Sequence, residues 1–284
     1  MAYAVEGKSK DLGGFQVTRL LPQVGQRSVG PFVFLDRMGP ADFDAGHGID
    51  VRPHPHIGLS TLTYLFEGAI LHRDSVGSVQ EIHPGDVNWM TAGRGITHSE
   101  RESPAVRGQP HKLDGAQFWI ALPEVHEEIA PSFTHVPKAD VPAFDRAGAH
   151  LRLVAGSAYG HSAPVPVHSP LFLIDAHLPA GATLPPPDGA EVAVHVVAGS
   201  VSTGGRTYAT GALVVLEKGD VLHAGEGPAR YLVFGGQPLG MRHMWWNFVS
   251  SRKERIEQAK ADWDADRFPK VAGDAVERIP LPKG

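Results

Sequence analysis

The sequence predicts a mainly β protein made of two strand-rich domains in tandem, followed by a C-terminal helix. Three observations carry this. A length of 284 residues accommodates two domains of about 100 to 200 residues each. With 33 Gly and 24 Pro in a chain that is 42% hydrophobic, many short strands closed by turns are favoured over long helices. The series of short apolar runs also breaks at HVPKADVPAF, a Pro- and charge-containing stretch, and then starts again.

In the first half the runs are FQVTRLLP, VGPFVFLDRMG, LSTLTYLFEGAILHRDS, VQEIHPGDVNWMTAG, GITHSERES and GAQFWIALP. Aromatic and β-branched residues fill them, while Gly, Pro and Asp fill the gaps, the pattern of a sandwich or barrel. The second half follows with HLRLVAGS, PLFLIDAHLPAG, EVAVHVVAGSVSTGGRTYATGALVVLEKGD and RYLVFGGQPL. The domain limits therefore fall at 1–138 and 139–243, with 244–284 as a tail.

The halves echo each other. Phe66-Glu67-Gly68-Ala69-Ile70 precedes a turn and then His83-Pro84-Gly85-Asp86, while Val197-Ala198-Gly199-Ser200-Val201 precedes a turn and a strand ending Glu217-Lys218-Gly219-Asp220. Such similarity hints at one unit used twice, although Gly-bounded hairpins recur in many β proteins. In the second unit the alternation of Val192, Val194, Val196, Leu213 and Val215 predicts an apolar barrel interior.

The tail differs in kind. Ser251 and Glu254 have capping-box spacing, and Ile256, Ala259 and Trp263 fall near one face, so a helix is expected over 251–265. The preceding MWWNFVS is too apolar for water and is expected to pack back on the β structure.

Composition narrows the function classes. A net charge of −5 offers no general attraction to nucleic acid, so no direct nucleic-acid contact is expected. No apolar run reaches about 18 residues, and the start MAYAVEGKSKDLGG has no basic segment followed by an apolar one. No membrane association and a cytoplasmic location are the resulting expectations. Zero cysteines remove disulfides, thiolate metal sites and a cysteine nucleophile, which leaves the 16 histidines as the candidate ligands.

Two pairs stand out among them. His54 and His56 flank Pro55, and His98 and Glu100 flank Ser99. On an extended chain residues two apart share a face, so each pair offers two donors to one side. Three imidazoles and one carboxylate, converging inside a barrel, would leave about two positions open on an octahedral ion. A sulfur-free set suits Fe(II), Mn, Ni, Cu or Zn better than Ca or Mg. Taken singly, each residue also has a structural role available: a strand histidine is commonly just hydrogen-bonded, and Ser99-Glu100-Arg101-Glu102 reads equally as a charged rim. His72, His83, His111, His126 and His135 lie near turns and are read as surface or supporting residues.

With RPHPHIGLSTLTYLFEG, HRDS, PGDVNWMTAGRGITHSE and GAQFWIALP in view, the sequence resembles the pirin family of the cupin superfamily, closely over residues 30–135 and more loosely beyond. The resemblance implies two cupin barrels of jelly-roll type, with one iron in the N-terminal barrel held by His54, His56, His98 and Glu100. The general cupin pattern places a glutamate a few residues after HxH, whereas Ile57-Gly58-Leu59-Ser60-Thr61 stands here, so the carboxylate must come from Glu100. In the second repeat Pro185 and Pro187 occupy the places of the two histidines, and that barrel is expected to be metal-free. The resemblance further implies an oxidoreductase of the quercetin 2,3-dioxygenase kind, taking a flavonol-like small molecule and O2, with Glu100 as ligand and catalytic base. The alternative it implies is a redox-sensing regulatory module that needs a protein partner.

Overall fold

Gly68 joins Leu59–Glu67 to Ile70–Asp74 in a turn that only glycine accommodates. Its φ is +87°, and a Cβ there would lie 2.3 Å from the Lys112 carbonyl oxygen. Gly199 plays the same part between Glu191–Ala198 and Ser200–Thr203, with φ +78° and the Pro228 carbonyl oxygen 2.6 Å from the added carbon. The computed structural model, which describes residues 1–11 and 15–283, thus contains the repeat that the sequence hinted at.

Two compact units make up the chain: Met1–Lys8, Arg19–Leu35 and Ala139–Pro238 form one, and Ser9–Thr18, Asp36–Lys138 and Leu239–Gly284 the other. This interleaving differs from the contiguous limits expected from sequence. Strand pairing is the reason, since an edge strand's free N–H and C=O groups can be satisfied by a segment remote in sequence. Tyr3–Val5 pairs antiparallel with Leu213–Leu216, in the register Tyr3 to Val215.

One sheet, most of it in the unit containing Asp36–Lys138, runs in the order Ser132–Val136, Val87–Thr91, Leu59–Glu67, His111–Ala121, Phe32–Phe43, Gln16–Leu21, Lys8–Asp11. A second sheet has the order Val51–His56, Ile96–Arg101, Ile70–Asp74, Val79–Ile82. Leu65, Ile70, Ile82 and Leu113 meet in one apolar cluster with Phe15, Val17, Met38 and Ile49. Thr63 is two residues from Leu65, hence on the same face, and there the lining turns polar.

The tail belongs to this unit. Phe248 packs with Ile57, Ile256, Ala259, Trp263 and Phe268, so MWWNFVS is covered as its apolarity requires. The helix is Lys253–Asp264. Its N-cap is Arg252 and carries no side-chain cap; Ser251 instead donates its hydroxyl to Glu127 Oε2 at 3.0 Å, so the expected capping box does not form. No helix among the described residues is long and apolar enough to cross a membrane.

The other unit repeats the arrangement. Its smaller sheet runs Thr183–Leu184, Leu222–Ala224, Ser200–Thr203, Arg206–Ala209, and its larger one is centred on Glu191–Ala198, Ala229–Gly236 and Leu171–Leu178. Val192, Val194 and Val196 line the core as expected. On the neighbouring strand Val214 and Leu216 join this cluster, while Leu213, also fully buried, and the half-buried Val215 lie on the opposite face. The register decides this: Val194 opposes Val214 and Val192 opposes Leu216, which turns Leu213 and Val215 to the face that carries His195 and Ala193.

Candidate metal centre

The prolines around the first histidine pair have a positional cause. Val51–His56 is an edge strand of its sheet and pairs antiparallel with Ile96–Arg101. The Pro53 carbonyl points off that edge and accepts the Ile279 backbone N–H at 2.9 Å. Pro55, two residues on, has the same orientation, so neither proline removes a donor that the ladder needs.

Across the ladder His98 lies opposite His54, and Ile96 opposite His56. Cross-strand neighbours on one face are the closest side chains a sheet can offer. The three imidazoles therefore converge, with their potential ligand atoms all within 4.8 Å of one another and each ring buried. Among the described residues this is the one group of three or more His, Asp or Glu side chains that meets that distance.

Hydrogen bonds turn the rings inward. His54 Nδ1 lies 2.9 Å from the Arg52 carbonyl oxygen and His56 Nδ1 lies 3.1 Å from that of Asn247. Since a carbonyl only accepts, both rings carry their proton on Nδ1 and present Nε2 as a lone pair. His56 Nε2 and His98 Nε2 then face each other at 3.1 Å. Burial lowers the pKa of His54, against the charge of Glu100, and holds those of His56 and His98 well below the ordinary histidine value, with the neighbouring His54 adding to the effect. Three neutral, inward-facing imidazoles are the protonation state that metal ligation requires, and this donor set fits a divalent transition-metal ion.

Glu100 is also buried, and its charge is felt at His54, but its carboxylate is not grouped with the three ring nitrogens. The ladder is irregular between His98 and Glu100, which pairs with Val51. Gln117 Nε2 donates to Glu100 Oε1 at 2.7 Å, and the Thr63 hydroxyl does so at 3.4 Å. Both bonds fall on one oxygen.

The sequence suggests for His72 a surface or supporting place near a turn and singles out nothing at Asp74; in the structure both are buried. His72 Nδ1 lies 3.4 Å from His98 Nδ1, and His72 Nε2 lies 2.9 Å from Asp74 Oδ2. His72-Arg73-Asp74 has the same two-residue spacing as the other pairs, and that spacing is the sequence signal for this site. In the second unit the strand matching Val51–His56 is Thr183–Leu184, which runs into Pro185. Its partner residue His223 is exposed, and His195 is buried on the face opposite Val194, with Nδ1 3.1 Å from the Ala212 carbonyl oxygen.

Comparison with known proteins agrees with this architecture. The family model described as Pirin matches residues 14–120, and that described as Pirin C-terminal cupin domain matches 173–269. A pirin-like protein of Caulobacter vibrioides is 50% identical over 283 residues, covering 98% of each chain. The crystal structure of a quercetin 2,3-dioxygenase from Acinetobacter baumannii superposes with a TM-score of 0.90 at 32% identity, covering 100% of this chain and 95% of that one. Bacterial pirin YhhW of Escherichia coli, in complex with nickel(II), shares the fold at TM-score 0.65 and 22% identity, over 84% of this chain and 100% of its own.

Proposed function

The chain belongs to the pirin family, and from that premise we propose that it is a cytoplasmic metal-dependent dioxygenase acting on a flavonol such as quercetin with O2. One divalent ion, Fe(II) in preference to Mn, Ni, Cu or Zn, would be held by His54, His56, His98 and Glu100. A bound ion of this type supplies a Lewis acid and a template, lowering the pKa of a substrate hydroxyl and holding two reactants in place. The protein's own share is different. The three imidazoles enter neutral, so no protons must be displaced from them near neutral pH. Gln117 and Thr63 hold Oε1 of Glu100, which leaves Oε2 as the oxygen that would reach the ion and, once loosened from it, take the enolic proton.

The observation that carries this proposal is the convergence of three neutral imidazole Nε2 atoms beside a carboxylate anchored through one oxygen only. The relative named as a quercetin 2,3-dioxygenase supports the choice of substrate class. The test is oxygen-electrode measurement with quercetin and simpler enediols on protein of known metal content. Oxygen uptake that requires both metal and flavonol is expected. Metal-loaded protein that consumes no oxygen with any of these substrates would overturn the dioxygenase assignment.

A further inference from the structure

Ligation through Nε2 imposes a condition on the far side of each ring. The remaining proton must sit on Nδ1, and when buried it needs an acceptor. His54 and His56 meet the condition with the backbone carbonyls of Arg52 and Asn247, which can only accept. Among the described residues no carbonyl is bonded to the His98 ring. Its Nδ1 faces Nδ1 of another histidine, His72, which can accept or donate according to its own tautomer.

What fixes that tautomer is one step further out. His72 Nε2 stands 2.9 Å from Asp74 Oδ2, and both side chains are buried. The other oxygen of Asp74 accepts the backbone N–H groups of Val76 at 2.9 Å and Ser78 at 3.0 Å, so the carboxylate is anchored by its own turn. Facing an ionised acceptor, His72 places its proton on Nε2. Its Nδ1 is then a lone pair, His98 donates Nδ1–H to it, and His98 Nε2 is left bare toward His56. Phe133 stacks on the His72 ring at 4.3 Å and 14°, which keeps it from rotating out of line.

We propose that His72 and Asp74 are positioning residues that select the tautomer of His98, so that its Nε2 is presented to the metal pocket as a lone pair. This rests on the metal-site assignment above and adds how the third ligand is kept competent. The opposite tautomer has a definite consequence. If His72 carried its proton on Nδ1, His98 would accept it, move its own proton to Nε2 and donate to His56 Nε2 across the 3.1 Å gap. That hydrogen bond would close two ligand positions at once.

Asp74→Asn separates the alternatives. The amide oxygen retains the two bonds to the turn, while the amide nitrogen replaces an acceptor with a donor and drives the His72 proton to Nδ1. His72→Phe is the second variant; it keeps a flat ring against Phe133 and removes the acceptor for His98. Two measurements decide. Long-range 1H–15N correlation spectra of the metal-free full-length chain report which nitrogen of His98 bears hydrogen, and chelator competition reports Ni(II) affinity. In the wild type the His98 proton is expected on Nδ1, and in Asp74→Asn on Nε2. Ni(II) affinity is expected to fall by about 10- to 100-fold in both variants, the usual effect of removing a ligand's hydrogen-bond partner. The proposal is overturned by an Nε2-protonated His98 in the wild type, by an unchanged tautomer in Asp74→Asn, or by folded variants that bind Ni(II) within about 3-fold of the wild type. Wild-type protein that takes up no metal would refute the metal site itself, and the tautomer spectra would still decide the relay.

Discussion

His54 and His98, 44 residues apart in sequence, are direct cross-strand partners with ring centroids 4.3 Å apart. Each strand alone offers a pair of donors, and only this register brings the pairs together. One metal ion per chain is therefore expected by elemental analysis. His54→Ala combined with His98→Ala should abolish uptake, because the one imidazole and one carboxylate that remain are too few to hold a labile divalent ion; full occupancy in that double variant would remove the site from these strands.

Glu100→Gln tests the carboxylate. The amide keeps the shape and loses the basicity. At equal metal content the variant should remain folded and lose turnover of quercetin by about 10² to 10⁴, the contribution of a positioned base. Oxygen consumption within a few-fold of the wild type would show that Glu100 takes no proton.

The pH dependence of the metal-free protein follows from the three histidines. Burial depresses their folded-state pKa values, so between those values and the unfolded value of about 6.5 the unfolded chain binds more protons. Their contribution is complete above about pH 6.5 and is lost as pH falls through the depressed values. Melting temperature of the metal-free chain should accordingly decline as pH is lowered from about 6.5, and the decline should be smaller in the His56→Phe variant. A flat profile between pH 7 and 5 would contradict it.

The second unit should behave as a metal-free core. Ile174 is fully buried among Leu151, Leu153, Val194 and Val233. Ile174→Ala is expected to cost about 2–5 kcal/mol in chemical unfolding, as large-to-small core changes do, and to leave the metal content of the folded protein unchanged. Loss of metal in proportion to that substitution would argue for a second site.

The tail can be tested through Asn247, whose carbonyl orients His56. Phe248 next to it is fully buried against Ile57 and the helix Lys253–Asp264. Phe248→Ala should destabilise by about 3–5 kcal/mol and should also weaken Ni(II) binding in the folded fraction, since the carbonyl loses its anchor. Unaltered affinity would confine the tail to a packing role.

Much of this was legible in the chain itself. The alternation of apolar residues with Gly-bounded turns announced the strands, and Gly68 and Gly199 mark the same turn in both units because each lies at positive φ against a carbonyl. The spacing of HPH and HSE placed each pair on one face, because a strand's side chains alternate whatever its surroundings. The family was recognisable from the same residues.

Other features depended on which segments meet, and local pattern carries little information about that. Tyr3–Val5 joins the unit built mainly from residues 139–238 because Leu213–Leu216 has an edge to fill, not because of anything in the tripeptide. Register alone puts Val214 rather than Val215 into the core, and the availability of Glu127 draws Ser251 away from the helix end. His72 and Asp74 show the difference most clearly. Their spacing places them on one face, but a histidine near a turn has no assigned task until a second ring is brought within 3.4 Å of it. Sequence determined which donors share a face, through the fixed period of the strand; tertiary structure decided which faces meet, because long-range pairing is chosen by the burial and hydrogen bonding of the whole chain.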